Sequence, residues 1–174
     1  MRCFIALDMD EKIRQFCENK TNELKQSGFR AKWVESENLH LTLFFLGEID
    51  RRGVSVLREI VEKSNPSDFS LIFNRVGYFR KQRQPTTIWL GIEKSDGLNA
   101  LYKKMKTEIE HRTQILFKET FRPHLTLGRV KDAPENWSDI LEEQCPVALR
   151  LQKIHIQLYS STLTKNGPIY RPLL

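Results

Sequence analysis

One four-residue phrase occurs twice in the chain, as His40-Leu41-Thr42-Leu43 and as His124-Leu125-Thr126-Leu127. Side chains of a strand alternate between its faces with period two. Each copy therefore sets a histidine and a threonine on one face and two leucines on the other. The leucines can anchor the strand in a core while His and Thr stay free on the opposite side. A lone strand histidine is ordinarily a packing residue, and Leu-Thr-Leu is common strand composition. Here two of only four histidines open the same tetrapeptide, and strand composition alone does not give that repetition. The copies lie about half the chain apart, which predicts two similar lobes, each supplying one motif strand to a central cleft.

The segments between them read as mixed α+β. Residues 2–7 form a short apolar run, consistent with a buried strand. Asp8 and Glu11 have capping-box spacing for a helix carrying Ile13, Phe16, Cys17 and Leu24, with Gly28 as its C-cap. An edge strand is expected over 31–34, a polar turn over 35–38, and then the first motif strand. Asp50 caps a helix with the apolar face Val54, Leu57, Ile60 and Val61, and Ser64-Asn65-Pro66 ends it. Phe69, Leu71 and Phe73 alternate as in a strand, and 87–92 is rich in β-formers. Residues 78–85 read as a loop carrying Arg80, Lys81 and Arg83, able to meet a phosphate backbone. Ser95 or Asp96 opens a helix with Leu98, Leu101, Tyr102, Met105 and Ile109 on one stripe. Pro123 precedes the second motif strand, and Pro134 suits the first position of a short helix with Trp137, Ile140 and Leu141. Apolar residues then shift from odd to even positions near Gln152-Lys153, as a β-bulge would produce. His111 and His155 fall on polar faces. The fold expected is α+β: two pseudo-symmetric lobes, each a mainly antiparallel sheet flanked by helices, forming one bilobal domain over residues 1–174.

Composition narrows the chemistry. With 174 residues, 40% hydrophobic and 29% charged, the chain can bury a core and is not of disordered composition. No apolar run is long enough to span a bilayer, and the apolar N-terminal segment is too short for a signal peptide. The expectation is a cytoplasmic protein without a membrane partner, acting as a monomer. Net charge of +6 favours an anionic partner such as RNA or a phosphorylated small molecule. Cys3, Cys17 and Cys145 are widely spaced and form no Cys-x-x-Cys pair, so they read as small core residues in a reducing compartment.

Twin histidines suit phosphodiester chemistry without a metal. A neutral imidazole takes a proton from the attacking water while an imidazolium protonates the departing alkoxide, and an ordinary pKa near 6.5 lets both forms coexist. Threonine hydroxyls on the same face can donate to the non-bridging phosphate oxygens. A zinc site would need further ligands beside each histidine, where threonines stand instead. Neither a Gly-rich phosphate loop nor a Gly-x-Ser-x-Gly elbow is present.

These motifs resemble those of the 2H phosphoesterase superfamily, and within it the RNA 2′,3′-cyclic phosphodiesterases, historically called 2′-5′ RNA ligases. The likeness runs the length of the chain. It includes Arg2-x-Phe4-Ile5-Ala6, Asn38-Leu39-His40-Leu41-Thr42-Leu43-x-Phe45-Leu46-Gly47 and Pro123-His124-Leu125-Thr126-Leu127-x-Arg129, and it ends with Leu158-x-x-Ser161-x-Leu163 and Gly167-Pro168-x-Tyr170. The resemblance implies hydrolysis of a 2′,3′-cyclic phosphate end, on RNA or a small cyclic nucleotide, to a 2′-phosphomonoester. It assigns His40 as proton donor, His124 as proton acceptor, and Thr42, Thr126 and Arg129 as phosphate ligands, with neither metal nor nucleotide cofactor. The residues by themselves leave the acid and base labels interchangeable. They also leave open end joining through a 2′-5′ linkage at the same site, and a non-catalytic RNA-binding module. Strict alternation would put Arg129 on the leucine face, so its role requires a bulge or strand end at Gly128. Where relatives often carry Phe-Pro, this chain has Phe79-Arg80. Phe4 and Tyr159 are read as core residues, with base stacking as the alternative.

Overall fold

The computed structural model describes residues 1–64, 69–165 and 167–174. In chain order its elements are β1 (Arg2–Asp8), α1 (Glu11–Gln26), β2 (Arg30–Trp33), a 3-10 turn (Ser36–Asn38), β3 (His40–Glu48), α2 (Arg51–Lys63), β4 (Leu71–Lys81), β5 (Gln84–Ile92), α3 (Asp96–Arg112), β6 (His124–Asp132), α4 (Trp137–Glu143), β7 (Leu149–Leu151), β8 (Ile156–Thr164) and β9 (Gly167–Pro172). This is α+β, and the strands form one sheet in the order β7-β4-β5-β6-β3-β1-β8-β9, with β2 added on β6. Every pairing among the described residues is antiparallel.

The two motif strands meet in the middle of this sheet. β3 and β6 touch through the pair Leu41↔Leu125, and both leucines are fully buried, each contributing about 1.5–3 kcal/mol of apolar burial. Four strands of the path lie on either side of that seam. The leucine face is covered by helices: Tyr102 of α3 stacks on Phe44 with centroids 4.6 Å apart, and Trp137 of α4 packs edge-on against Tyr78 at 4.9 Å. Leu98, Leu101, Met105 and Ile109 of α3 are buried as their spacing predicts, and so are Leu57, Ile60 and Val61 of α2.

Several local expectations are corrected. Asp10, not Asp8, caps α1 by accepting from the Ile13 N–H at 2.9 Å; Asp8 instead ends β1. Ser27 is the C-cap of α1, and Gly28 follows it at φ 95. Residues 78–85 are not a loop. β4 runs to Lys81 and β5 begins at Gln84, joined by a two-residue turn in which Gln82 takes the left-handed conformation at φ 56. Charge at an exposed hairpin end resembles loop composition because it protects strand edges from pairing. The slip near Gln152 is a complete break rather than a bulge, since β7 pairs with β4 and β8 with β1 at opposite ends of the sheet. Pro134 precedes α4, whose N-cap is Asn136. The final strand β9 was not anticipated as an element. α2 ends at Lys63 with Ser64 as C-cap, while Asn65 and Pro66 lie outside the described residues.

Candidate active site

Antiparallel pairing of Leu41 with Leu125 dictates what lies beside it. One step either way, His40 faces Thr126 and Thr42 faces His124. Because the leucines point into the core, the four polar side chains share the opposite face, arranged about a local two-fold axis. All four are half-buried.

The same hydrogen bond orients both rings. Nδ1 of His40 donates to the Asn38 carbonyl and Nδ1 of His124 to the Arg122 carbonyl, each at 2.6 Å. A carbonyl can only accept, so Nδ1 carries the proton and Nε2 of each neutral ring is left with a free lone pair. Each histidine also has its own aromatic wall. His40 lies 4.9 Å from the Phe4 ring and 5.3 Å from that of Tyr170. Phe4 stacks on Tyr159 at 5.1 Å and is buried, so both act as wall residues. His124 lies edge-on to Phe79 at 5.1 Å and 6.0 Å from Trp89. Trp89 lies flat over two glycines: a Cβ at Gly77 would fall 2.2 Å from its ring and one at Gly91 2.9 Å.

Burial pushes the pKa of His40 down from its ordinary value. The Asn38 carbonyl and Asp8 carboxylate oppose that shift, whereas Arg14 and His124 add to it. The register that sets Leu41 opposite Leu125 is what brings the two imidazoles to neighbouring strands on one face. Beside His124 a cavity of about 560 Å³ opens, lined in part by Arg75, Lys94 and Arg122.

Arg129 reaches the site face because β6 bulges. Thr87 pairs with Arg129, Ile88 with Gly128 and Trp89 with Thr126, so Leu127 has no partner of its own. Leu127 and Gly128 both turn inward and Arg129 turns out. Gly128 is needed there because the Trp33 ring would lie 2.6 Å from a Cβ. The Arg129 charge is felt by the Tyr170 hydroxyl, which burial otherwise raises in pKa, and Tyr170 touches His40. Sequence reasoning thus anticipated the position of the bulge. It singled out Tyr170 and Phe79 in the likeness without placing either beside a histidine, and it missed β9 and the wall residue Trp89. It assigned Asp8 to a helix cap, although its place after a buried apolar run also fits a strand end. His111 and His155 are exposed, but Nδ1 of His155 contacts the Asp8 carboxylate at 2.9 Å.

Among the described residues no three His, Cys, Asp or Glu side chains form a metal-ligand set, and no helix is long and apolar enough to cross a membrane.

The class defined by this sheet and paired site is that of the 2H phosphoesterases, and a profile of the 2′-5′ RNA ligase superfamily matches residues 11–162. The chain belongs to that family. It is 39% identical to an RNA 2′,3′-cyclic phosphodiesterase of Thermotoga maritima, over 99% of this chain and 93% of the relative. It is 33% identical to a protein of the same name from Archaeoglobus fulgidus, over 99% and 98%. The fold matches the TT0787 protein of Thermus thermophilus with a TM-score of 0.83, covering 100% of this chain and 96% of that one at 24% identity. The apo form of LigT from Escherichia coli matches at 0.75, covering 99% and 94%, also at 24% identity.

Proposed function

We propose that the chain hydrolyses the 2′,3′-cyclic phosphate end of RNA, or a small nucleoside 2′,3′-cyclic phosphate, to a 2′-phosphomonoester by metal-independent catalysis with two histidines. The observation that carries this reading is the convergence of both His-Thr pairs on one sheet face, with each Nδ1 committed to a backbone carbonyl. The names of the full-length relatives support the same activity.

In the proposed mechanism the phosphorus sits between the imidazoles. Nε2 of neutral His124 takes a proton from water, whose oxygen bonds to phosphorus as the P–O3′ bond breaks. Nε2–H of protonated His40 gives its proton to the leaving O3′. The cavity beside His124 gives water a route to the base. Thr42 and Thr126 donate to the non-bridging oxygens, and the planar fork of Arg129 matches two phosphate oxygens at once. Every group used comes from one chain, so a monomer suffices.

The test is incubation with nucleoside 2′,3′-cyclic phosphates in EDTA, with identification of the monoester formed. Turnover giving the 2′-phosphate is expected. Turnover abolished by EDTA would point to a metal enzyme. RNA binding that falls steeply with salt, without turnover, would indicate a binding module.

A further inference from the structure

The internal two-fold axis relates His40 to His124 but does not extend to the charges around them. Across β1·β3 the residue paired with His40 is Asp8. Across β5·β6 the residue paired with His124 is Gly91. One imidazole therefore has a carboxylate on the adjoining strand where the other has no side chain.

Asp8 is held rigidly. Its Oδ1 accepts from the Tyr159 hydroxyl, its Oδ2 from Nδ1 of His155 at 2.9 Å, and its backbone N–H donates to the His155 carbonyl at 3.0 Å. Tyr159 and His155 both belong to the chain segment forming or leading into β8, so that segment fixes the carboxylate on the His40 side of the site. The other titratable or charged groups around His40 are Arg14 from α1, His124 from β6, Tyr170 from β9, and, beside Tyr170, Arg2 and Arg129. The Arg14 guanidinium donates to the backbone carbonyls of Met9 and Ser36, and Nδ1 of His155 lies 2.9 Å from the Asp8 carboxylate, an ion pair only when that ring is protonated. Among the described residues Arg14 makes no salt bridge with the Asp8 carboxylate.

We propose that Asp8 is a positioning residue that holds a negative charge beside His40 and offsets part of the burial that disfavours its protonated ring, so that His40 can serve as the proton donor. A fixed anion within a few ångströms favours the cationic form of a base, and burial of His40 makes such support necessary. What distinguishes the two motif strands, interchangeable by motif alone, is then the carboxylate that β1 supplies and β8 holds on the His40 side. Its consequence for turnover rests on the phosphodiesterase reading; the coupling between Asp8 and His40 does not.

The experiment follows the histidine ring signals by NMR as pH is varied, in the free protein and in Asp8→Asn, with Asp8→Ser as a second uncharged variant and Asp8→Glu as the charge-retaining control. The His40 midpoint is expected to fall by about half a pH unit or more in the uncharged variants, to recover in Asp8→Glu, and to move more than that of His124. Turnover is then compared on two substrates, one with the natural 3′-oxygen and one with sulfur at that bridging position. A thiolate leaves with little need of a proton, given a thiol pKa of about 8.5. Above the His40 midpoint, Asp8→Asn should slow the oxygen substrate about threefold or more and leave the sulfur substrate nearly unchanged. A His40 midpoint that stays put in a natively folded uncharged variant, or equal slowing of both substrates, would overturn the proposal. If the wild-type protein turns over neither substrate, the proposed function fails, and the titration alone decides whether Asp8 controls His40.

Discussion

The strands carrying His40 and His124 follow the same course for six residues and then present different side chains to the same space. In β3, Leu43 is skipped in the pairing with β1, Phe44 turns inward, and Phe45 turns out. In β6, Leu127 is skipped in the pairing with β5, Gly128 turns inward, and Arg129 turns out. Phe45 and Arg129 are therefore equivalent positions, and Phe45 is 74% exposed, unusual for a phenylalanine beside a well-filled core. The comparison separates what the repeated motif must do from what each half is free to vary. In the proposed mechanism one imidazole and one hydroxyl are needed from each strand, so they repeat. On the proposed mechanism a cation for the phosphate is needed once, which leaves the partner position able to carry an aromatic ring.

The largest effects should respect the symmetry. His40→Ala and His124→Ala are each expected to lower kcat/KM on a nucleoside 2′,3′-cyclic phosphate by about 10²- to 10⁴-fold, because each removes one proton transfer. Comparable losses would sharpen the equivalence of the two strands, and full activity in either variant would break it. The next effect should violate the symmetry. Arg129→Ala should cost about 10- to 100-fold, matching loss of a charge-assisted contact worth about 1.5–3 kcal/mol. Phe45→Ala should cost only a few-fold, expressed in KM, through lost stacking on a base. Equal losses at Phe45 and Arg129 would mean that the two positions do not play different roles.

A packing comparison comes next. Across from Thr126 in β5 stands Trp89, and across from Thr42 in β1 stands Ala6. The next strand out compensates in each half, with Gly77 behind Trp89 and Gln157 behind Ala6. A Cβ at Gly77 would meet the Trp89 ring at 2.2 Å, so Gly77→Ala is expected to destabilise by about 1–3 kcal/mol through overpacking. Thermal or urea unfolding would measure it. An unchanged midpoint would show that the indole can leave its place at little cost, removing the reason for treating it as a rigid wall of His124.

How much of this was legible in the residues follows from the range of the interactions involved. His40, Thr42, His124 and Thr126 were readable because period-two alternation is a local rule and the motif states it twice. The bulge at Leu127–Gly128 was readable because Arg129 had the wrong phase for its role. The matching bulge in β3 had a similar cue in the unbroken run Leu43-Phe44-Phe45-Leu46, but no polar residue there demanded a particular face. Residues 78–85 were misread because charge near an exposed hairpin turn is locally indistinguishable from loop charge. The walls formed by Phe79, Trp89 and Tyr170, and the placement of Asp8 opposite His40, depend on which strands pair. Asp8 and Tyr159 lie at opposite ends of the chain, and no local pattern announces their hydrogen bond.

The smallest effect concerns stability rather than rate, and its sign follows from burial. The unfolded chain protonates His40 near the ordinary imidazole value of about 6.5. In the folded protein that pKa is lowered, chiefly by burial. As pH falls below about 6.5 the unfolded state takes up the proton first, so the contribution of His40 to stability declines until the folded-state pKa is passed, and then levels off. Replacing His40 with Gln removes that proton uptake. On acidification from pH 7.5, wild-type protein should therefore lose more stability than His40→Gln, measured as the difference between their urea unfolding free energies at each pH. Uncharged Asp8 variants should enlarge the wild-type loss, because without the carboxylate the folded state resists protonation of His40 more strongly. If the difference between wild type and His40→Gln stayed flat from pH 7.5 to 5, His40 would have the same proton affinity folded and unfolded, and the burial of its ring beside Phe4 and Tyr170 would have no electrostatic consequence.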